Sequence, residues 1–227
     1  MNADLRSAFA RDGFVDVTPA VTCALRERVA AEATAALDRH GVRRDVRIAA
    51  TGMSPRRYRV APRDGIAASC PAAAAAYRSA DLLALVANVA GEVVVPVPYV
   101  PEEFIATRLE RTGDTHGWHW DDYAYALVWI AGAPPATAGA ALERVTGVPW
   151  DKTRPGIEAV LAERTPLRAH VPAGSVYLLR ADTTLHRVAP LLCDARRDAL
   201  CFSYAPARDI ERAVTHETLD AILSGPG

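Results

Sequence analysis

The sequence is poor in cysteine. Its four, Cys23, Cys70, Cys193 and Cys201, lie far apart and form no Cys-x-x-Cys pair. That spacing excludes a disulfide framework and a cysteine-built zinc knot, and points to reduced thiols. Long apolar runs are missing too. The stretch VVVPVPYV at 93–100 is short and broken by proline, so no segment reads as a membrane span. Neither sign of charge is in excess, with 26 Lys and Arg against 27 Asp and Glu, and no basic stripe interleaves with aromatics. Nucleic acid is therefore not an expected partner, and neither is a membrane. The opening residues MNADLRSAFARDGF carry Asp4, Arg6, Arg11 and Asp12 where a secretory signal would be apolar, which makes the cytoplasm the expected location. Aromatics make up only 7 % of the chain. Against that scarcity one stretch is dense: THGWHWDDYAYALVWI, 115–130, holds two of the six His, three of the four Trp, two Asp and two Tyr.

Half of the 227 residues are hydrophobic, enough to bury one substantial core. A single domain over 1–227 is expected, with a helical front over 1–92 and a strand-rich core over about 93–210. TPAVTCALRERVAAEATAALDRHG predicts an amphipathic helix, with Thr18 as N-cap, Pro19 at the first helical position and Gly41 as the stop. A second helical region covers about 71–90, opened by Pro71, closed by Gly91 and divisible at Ser79. Between the two, RIAATGMSPRRYRVAPRDG reads as an irregular basic loop. Beyond Pro101 come EFIATRLER, AYALVWIA, AALERVTG, LRAHVPA, SVYLLRA, TLHRVAPL and DALCFSYAP, short and rich in β-formers, with a helical insertion at 154–164. The expected fold class is mainly β with N-terminal helices, a barrel or jelly roll buttressed by those helices. No coiled coil or interface stripe points to an oligomeric state.

Within the dense stretch, His119 and Asp121 are spaced so that a strand would turn both to one face. His186, in the strand-like TTLHRVAPL, supplies a third ligand. His-x-Asp followed by a distant His is the order of a 2-His-1-carboxylate facial triad, which suits Fe(II) and leaves positions open for a bidentate 2-oxoacid and O2. A 2-oxoacid needs a counter-charge for its far carboxylate. Arg197 opens the segment RDALCFSYAP eleven residues after His186, and a guanidinium can hold a carboxylate bidentately. Ala199, Cys201 and Ser203 follow on the same face, and Ser203 can share that carboxylate; Arg196 would point outward. Trp118, Trp120, Tyr123 and Tyr125 either line a pocket or pack the core. Two other readings stay open here: a zinc hydrolase using the same three ligands, and a non-catalytic metal-binding jelly roll.

With these residues the chain resembles the Fe(II)/2-oxoglutarate-dependent oxygenases. FARDGFVDV looks like the superfamily's opening, and LHRVAPL with ARRDALCFSYA like its closing segment. The resemblance implies a double-stranded β-helix (jelly roll), with Fe(II), 2-oxoglutarate and O2 as the reacting set. THGWHWDDYAYALVWI, VPWDK and VYLLRADTTLHRV are similar to the small bacterial enzymes that hydroxylate or halogenate free amino acids, the lysine radical halogenases and their hydroxylase relatives. In the halogenases glycine replaces the metal carboxylate and chloride takes the vacated place. Here the position is Asp121, which implies hydroxylation, with desaturation or cyclisation as alternative outcomes.

The same resemblance implies a small-molecule substrate, an amino acid, contacted by Glu102, His116, Asp122 and Arg56. Arg56 would meet the α-carboxylate, and Asp122 or Glu102 the ammonium group. Cys201 stands where the relatives are expected to carry Asn, and AGAAL where they carry a glycine pair; both imply a less polar or shorter amino acid than lysine. The short C-terminal part implies that a lid found in longer relatives is missing.

Overall fold

The computed structural model describes residues 2–224. It begins with helix α1 (Asn2–Asp12), a short strand β1 (Phe14–Asp16) and the long helix α2 (Cys23–His40). A hairpin follows, β2 (Val42–Ile48) and β3 (Ser54–Ala61), and then three helices, α3 (Arg63–Ser69), α4 (Pro71–Tyr77) and α5 (Ala80–Ala90). The later strands are β4 (Val94–Pro96), β5 (Phe104–Leu109), β6 (Thr115–His119), β7 (Tyr125–Gly132), β8 (Leu142–Thr146), β9 (Leu167–Ala169), β10 (Val176–Arg180), β11 (Thr184–Val188) and β12 (Arg197–Pro206). Helix α6 (Ile157–Glu163) interrupts them, and α7 (Glu217–Ser224) comes last.

Among the described residues the twelve strands join one sheet, in the order β1-β10-β7-β12-β5-β3-β6-β11-β8-β9, with β2 beside β3 and β4 beside β12. Strands as far apart in that order as β10, β12, β6 and β8 send side chains into one cavity, so the sheet curls around it as a jelly roll. The period-2 pattern sorts each central strand. Along β12, Ala199, Cys201 and Ser203 face the cavity. Leu200, Phe202 and Tyr204 face the other way, into a core shared with Val29, Ala33, Ala36 and Leu37 of α2. Strand β7 does the same, with Ala126 and Val128 inward and Leu127 and Trp129 outward. The front helices thus cover the outer face and leave the inner face for the site.

Three expectations need correction. The basic segment is not an irregular loop: residues 42–61 form the β2–β3 hairpin, paired from Val42↔Val60 to Ile48↔Ser54. Its alternation is carried by Ser54, Arg56, Tyr58 and Val60, all buried, and is masked in the sequence because arginine occupies inward and outward positions alike. The front is therefore not purely helical, since β3 inserts between β5 and β6 at the centre of the sheet. Thr18 does not cap α2. Its hydroxyl accepts from Val176 N at 2.9 Å, fastening the chain to β10, while Thr22 is the N-cap and accepts from Leu25 N at 3.4 Å. The division at Ser79 is observed, with its hydroxyl capping α5 by accepting from Leu82 N at 3.3 Å, and Gly91 ends α5 at φ 79°. No helix among the described residues is long and apolar enough to cross a membrane.

Candidate metal centre

Strands β6 and β11 pair so that His119 lies opposite His186, with ring centroids 4.1 Å apart. Asp121 follows just past the end of β6, not on the strand itself, and its backbone N–H donates to Ala181 O at 3.1 Å. Its Oδ1 lies 3.5 Å from His119 Nε2 and 3.8 Å from His186 Nε2. Each residue offers a ligand atom within 4.8 Å of the other two, so all three can reach one ion with bonds of about 2.0–2.2 Å.

Both imidazoles are oriented in the same way. His119 Nδ1 is 2.7 Å from Gly117 O, and His186 Nδ1 is 2.9 Å from Thr184 O. A carbonyl only accepts, so each Nδ1 carries the proton and each Nε2 keeps its lone pair for a metal. Burial lowers the pKa of both rings, His186 to about 4, so both are neutral at pH 7. Burial pushes Asp121 up to about 7, opposed by the Arg56 charge. Two neutral rings cannot supply the positive charge that a buried carboxylate calls for, whereas a divalent cation can. The donor set fits such an ion.

Gly117 is required here by a close approach. A Cβ at this position would lie 2.3 Å from Ser54 Oγ and 2.6 Å from Pro55 O. Gly117→Ala must push β6 away from β3 and turn the carbonyl that orients His119. We expect it to cost about 1–3 kcal/mol in chemical denaturation and to weaken metal binding.

Arg197 lies in the same cavity, buried at the start of β12, with Tyr177 of β10 in the same wall. Its neighbour Asp198 points away, where Arg108 holds it at 2.7 and 2.9 Å and Arg196 at 2.9 Å. Arg196 thus faces outward as expected, and the Arg197 charge is left for the cavity. Cys201 and Ser203 line the wall beyond Arg197.

His116 lines the cavity with its ring stacked on His119, 3.9 Å between centroids at 13°. Glu102 and Asp122 meet at the same cavity and, with His216, form a second cluster of potential ligands. Glu102 Oε2 lies within hydrogen-bond distance of His216 Nδ1, at 2.9 Å, and Asp122 Oδ1 is ion-paired to Lys152 Nζ at 2.5 Å. Burial, then the charges of Asp122 and Asp121, push Glu102 up to about 9. Arg56 is placed differently from the expectation. It is fully buried behind the lining, not in it, donating to Thr51 Oγ1 at 3.2 Å and to the Ser54 and Pro55 carbonyls at 3.4 Å. Its Nε has no hydrogen-bond partner.

The aromatics divide by strand face. Trp120 lines the cavity, whereas Tyr125 packs into the helix-side core and donates to Glu92. Trp118 packs with Val145 and Leu185, and Tyr123 with Val97 and Ala205. Tyr177, Lys152 and His216 escaped the sequence reading. Only Tyr177 left a signal, through its alternation with Leu179 in SVYLLRA. Helix α7 contributes Thr218, Leu219 and Ile222 to the cavity wall. Arg44 fastens that helix by donating to Ile222 O at 2.5 Å and Leu223 O at 2.6 Å.

Among solved structures, the chain is similar to AviO1 from Streptomyces viridochromogenes Tue57, at 18 % identity and TM-score 0.68 over 95 % of this chain and 97 % of that one. It is also similar to the non-heme alpha ketoglutarate dependent epimerase SnoN of nogalamycin biosynthesis, at 17 %, TM-score 0.64 and coverages of 91 % and 83 %. HygX from Streptomyces hygroscopicus, solved with nickel and 2-oxoglutarate bound, matches at 16 %, TM-score 0.62 and coverages of 90 % and 87 %. At such identities these likenesses speak for the fold. No curated protein matches the sequence. The sequence model of the family described as Halogenase D matches residues 1–224. The chain belongs to the Halogenase D family, on the fold of the Fe(II)/2-oxoglutarate-dependent oxygenases.

Proposed function

We propose that this protein is a non-haem Fe(II)/2-oxoglutarate-dependent oxygenase that hydroxylates an unactivated C–H bond of an amino acid or amino-acid-derived small molecule. One observation carries the reading: a complete His119, Asp121 and His186 donor set shares its cavity with a buried Arg197 turned toward the interior. Support comes from two structural neighbours, since SnoN holds Fe3+, alpha ketoglutarate and nogalamycin RO, and HygX holds nickel and 2-oxoglutarate.

His119, Asp121 and His186 would hold Fe(II), which with 2-oxoglutarate and O2 supplies the oxidation, yielding succinate, CO2 and a substrate carrying one added oxygen atom. Arg197, backed by Tyr177 and near Ser203, binds the far carboxylate of 2-oxoglutarate and fixes its direction. Gly117 O and Thr184 O hold the imidazoles in the ligating tautomer. Glu102 attracts the substrate's ammonium group, Asp122 being ion-paired to Lys152, and Arg56, behind His116, makes the adjoining wall positive for the substrate's carboxylate. Helix α7 and Trp120 keep water from the reacting carbon. Because Asp121 fills the position that glycine vacates in the halogenases, oxygen transfer is the expected outcome. Desaturation or cyclisation of the same substrate is told apart by product mass: a gain of one oxygen atom against a loss of two hydrogens.

The assignment of Glu102 predicts a pH dependence. With its pKa raised to about 9, Glu102 is protonated at pH 7 in the empty cavity. An ammonium ligand needs it ionised, so binding releases a proton below about 9 and tightens as pH rises. Amino-acid KM is expected to fall between pH 6.5 and 8.5, by up to about tenfold per unit, and Glu102→Gln to flatten the profile. The same shift makes the ligand-free protein lose stability as pH rises from the ordinary 4.5 toward about 9.

A further inference from the structure

We infer that Lys152 sets the substrate class: it occupies the cationic place beside Asp122, so that the cavity accepts a single ammonium group and selects amino acids with uncharged aliphatic side chains. The inference rests on the proposed reading of the cavity as an amino-acid site.

Lys152 is the only lysine of the chain, which otherwise uses arginine throughout. Its ammonium is held from several sides. It pairs with Asp122 Oδ1 at 2.5 Å, donates to Thr215 O at 2.5 Å and Thr215 Oγ1 at 3.0 Å, and lies 3.4 Å from Glu217 Oε2. It also sits 4.5 Å from the Trp150 ring centroid. The compact ammonium distributes its donors among these groups, which a planar guanidinium could not do from the same point. One end of the arrangement is the loop after β8 and the other is the segment entering α7, so the charge is fixed by the fold rather than swinging in solvent.

The charges facing the cavity can then be assigned one by one. Three carboxylates among the described residues line it: Glu102, Asp121 and Asp122. Asp121 lies between the two ligand imidazoles, and Asp122 is neutralised by Lys152. Glu102 remains, with His216 Nδ1 2.9 Å from its Oε2, and burial lowers the His216 pKa, which disfavours a second positive charge there. One carboxylate can accommodate one substrate ammonium. A second ammonium, at the end of a basic side chain, would be desolvated against Ile105, Val128, Leu142, Leu179, Val188 and Ile222 without a counter-charge. The same apolar wall favours methyl and methylene groups.

The test is calorimetric titration under nitrogen of the Fe(II)- and 2-oxoglutarate-loaded protein with leucine, valine, lysine and ornithine, followed by succinate release on adding O2. The wild type is expected to bind leucine or valine on the order of 100-fold more tightly than lysine or ornithine. Lys152→Met is expected to shrink that ratio by about tenfold or more, and Lys152→Arg, which keeps the charge, to preserve the order of preference. Lys152→Gln gives the same comparison as Lys152→Met with a polar side chain of similar length, should the methionine variant fail to fold. Preference of the wild type for lysine or ornithine would overturn the inference and leave the amino-acid reading standing. An unchanged ratio in a folded, uncharged variant would overturn the role of Lys152. Failure of every amino acid to bind or to stimulate succinate would overturn both.

Discussion

Asp121→Ala is expected to lower Fe(II) affinity at least about 100-fold, because removing mere outer-shell partners of metal ligands already costs about 10- to 100-fold. Substrate-dependent succinate release should fall on the order of 10³-fold, a loss comparable to deleting one member of a cooperating catalytic set. The reason lies in the charge of the site. His119 and His186 are neutral, so Asp121 is the only negative ligand of the three. Its alanine variant leaves two neutral donors and an unfilled position. Asp121→Gly tests the same position in another way, since it recreates the arrangement that the resemblance implies for the halogenases. Chloride is expected to restore part of the Fe(II) affinity of Asp121→Gly and to leave that of the wild type unchanged. Equal metal affinity in wild type and Asp121→Ala, measured by anaerobic titration, would remove Asp121 from the ligand set.

Arg197→Leu should raise the KM for 2-oxoglutarate by a factor of about 30 to several thousand, the range for truncating one partner of a buried charge pair. The maximal rate at saturating 2-oxoglutarate should change much less. Pyruvate supplies the control, because it has the chelating end of a 2-oxoacid but no distal carboxylate. Wild type is expected to discriminate strongly against pyruvate, and Arg197→Leu to lose that discrimination. Arg197→Lys should restore it only in part, since a point charge cannot match two carboxylate oxygens and the Tyr177 hydroxyl together. A wild type indifferent to the distal carboxylate would leave the buried Arg197 charge without the proposed role.

The ligand set was legible in the sequence because its geometry is local. His119 and Asp121 are close in the chain, and His186 faces His119 by simple antiparallel pairing. Arg197, Cys201 and Ser203 were legible by the strict alternation of a strand buried on both faces. The β2–β3 hairpin was not, because arginine stands at inward and outward positions alike; Arg56 is buried through carbonyl contacts that no residue pattern announces. Position relative to the cavity was equally hidden, so Arg56 came out behind the wall rather than in it. Lys152 and His216 reach the site from the loop after β8 and the segment before α7. Only the closure of the sheet brings those two segments to Glu102 and Asp122. The Thr18-Pro19 pair fits a helix start and a strand tether equally well, and it is Thr22 that caps α2.

The measurement that bears most directly on the central claim is the release of succinate from protein loaded anaerobically with Fe(II) and 2-oxoglutarate, exposed to O2 with and without a broad pool of amino acids, beside the His119→Ala protein. Amino-acid-stimulated succinate in the wild type, matched by a product that has gained one oxygen atom and lost in His119→Ala, is the predicted result. Succinate that no amino acid stimulates, or that His119→Ala forms as readily as the wild type, would contradict the assignment.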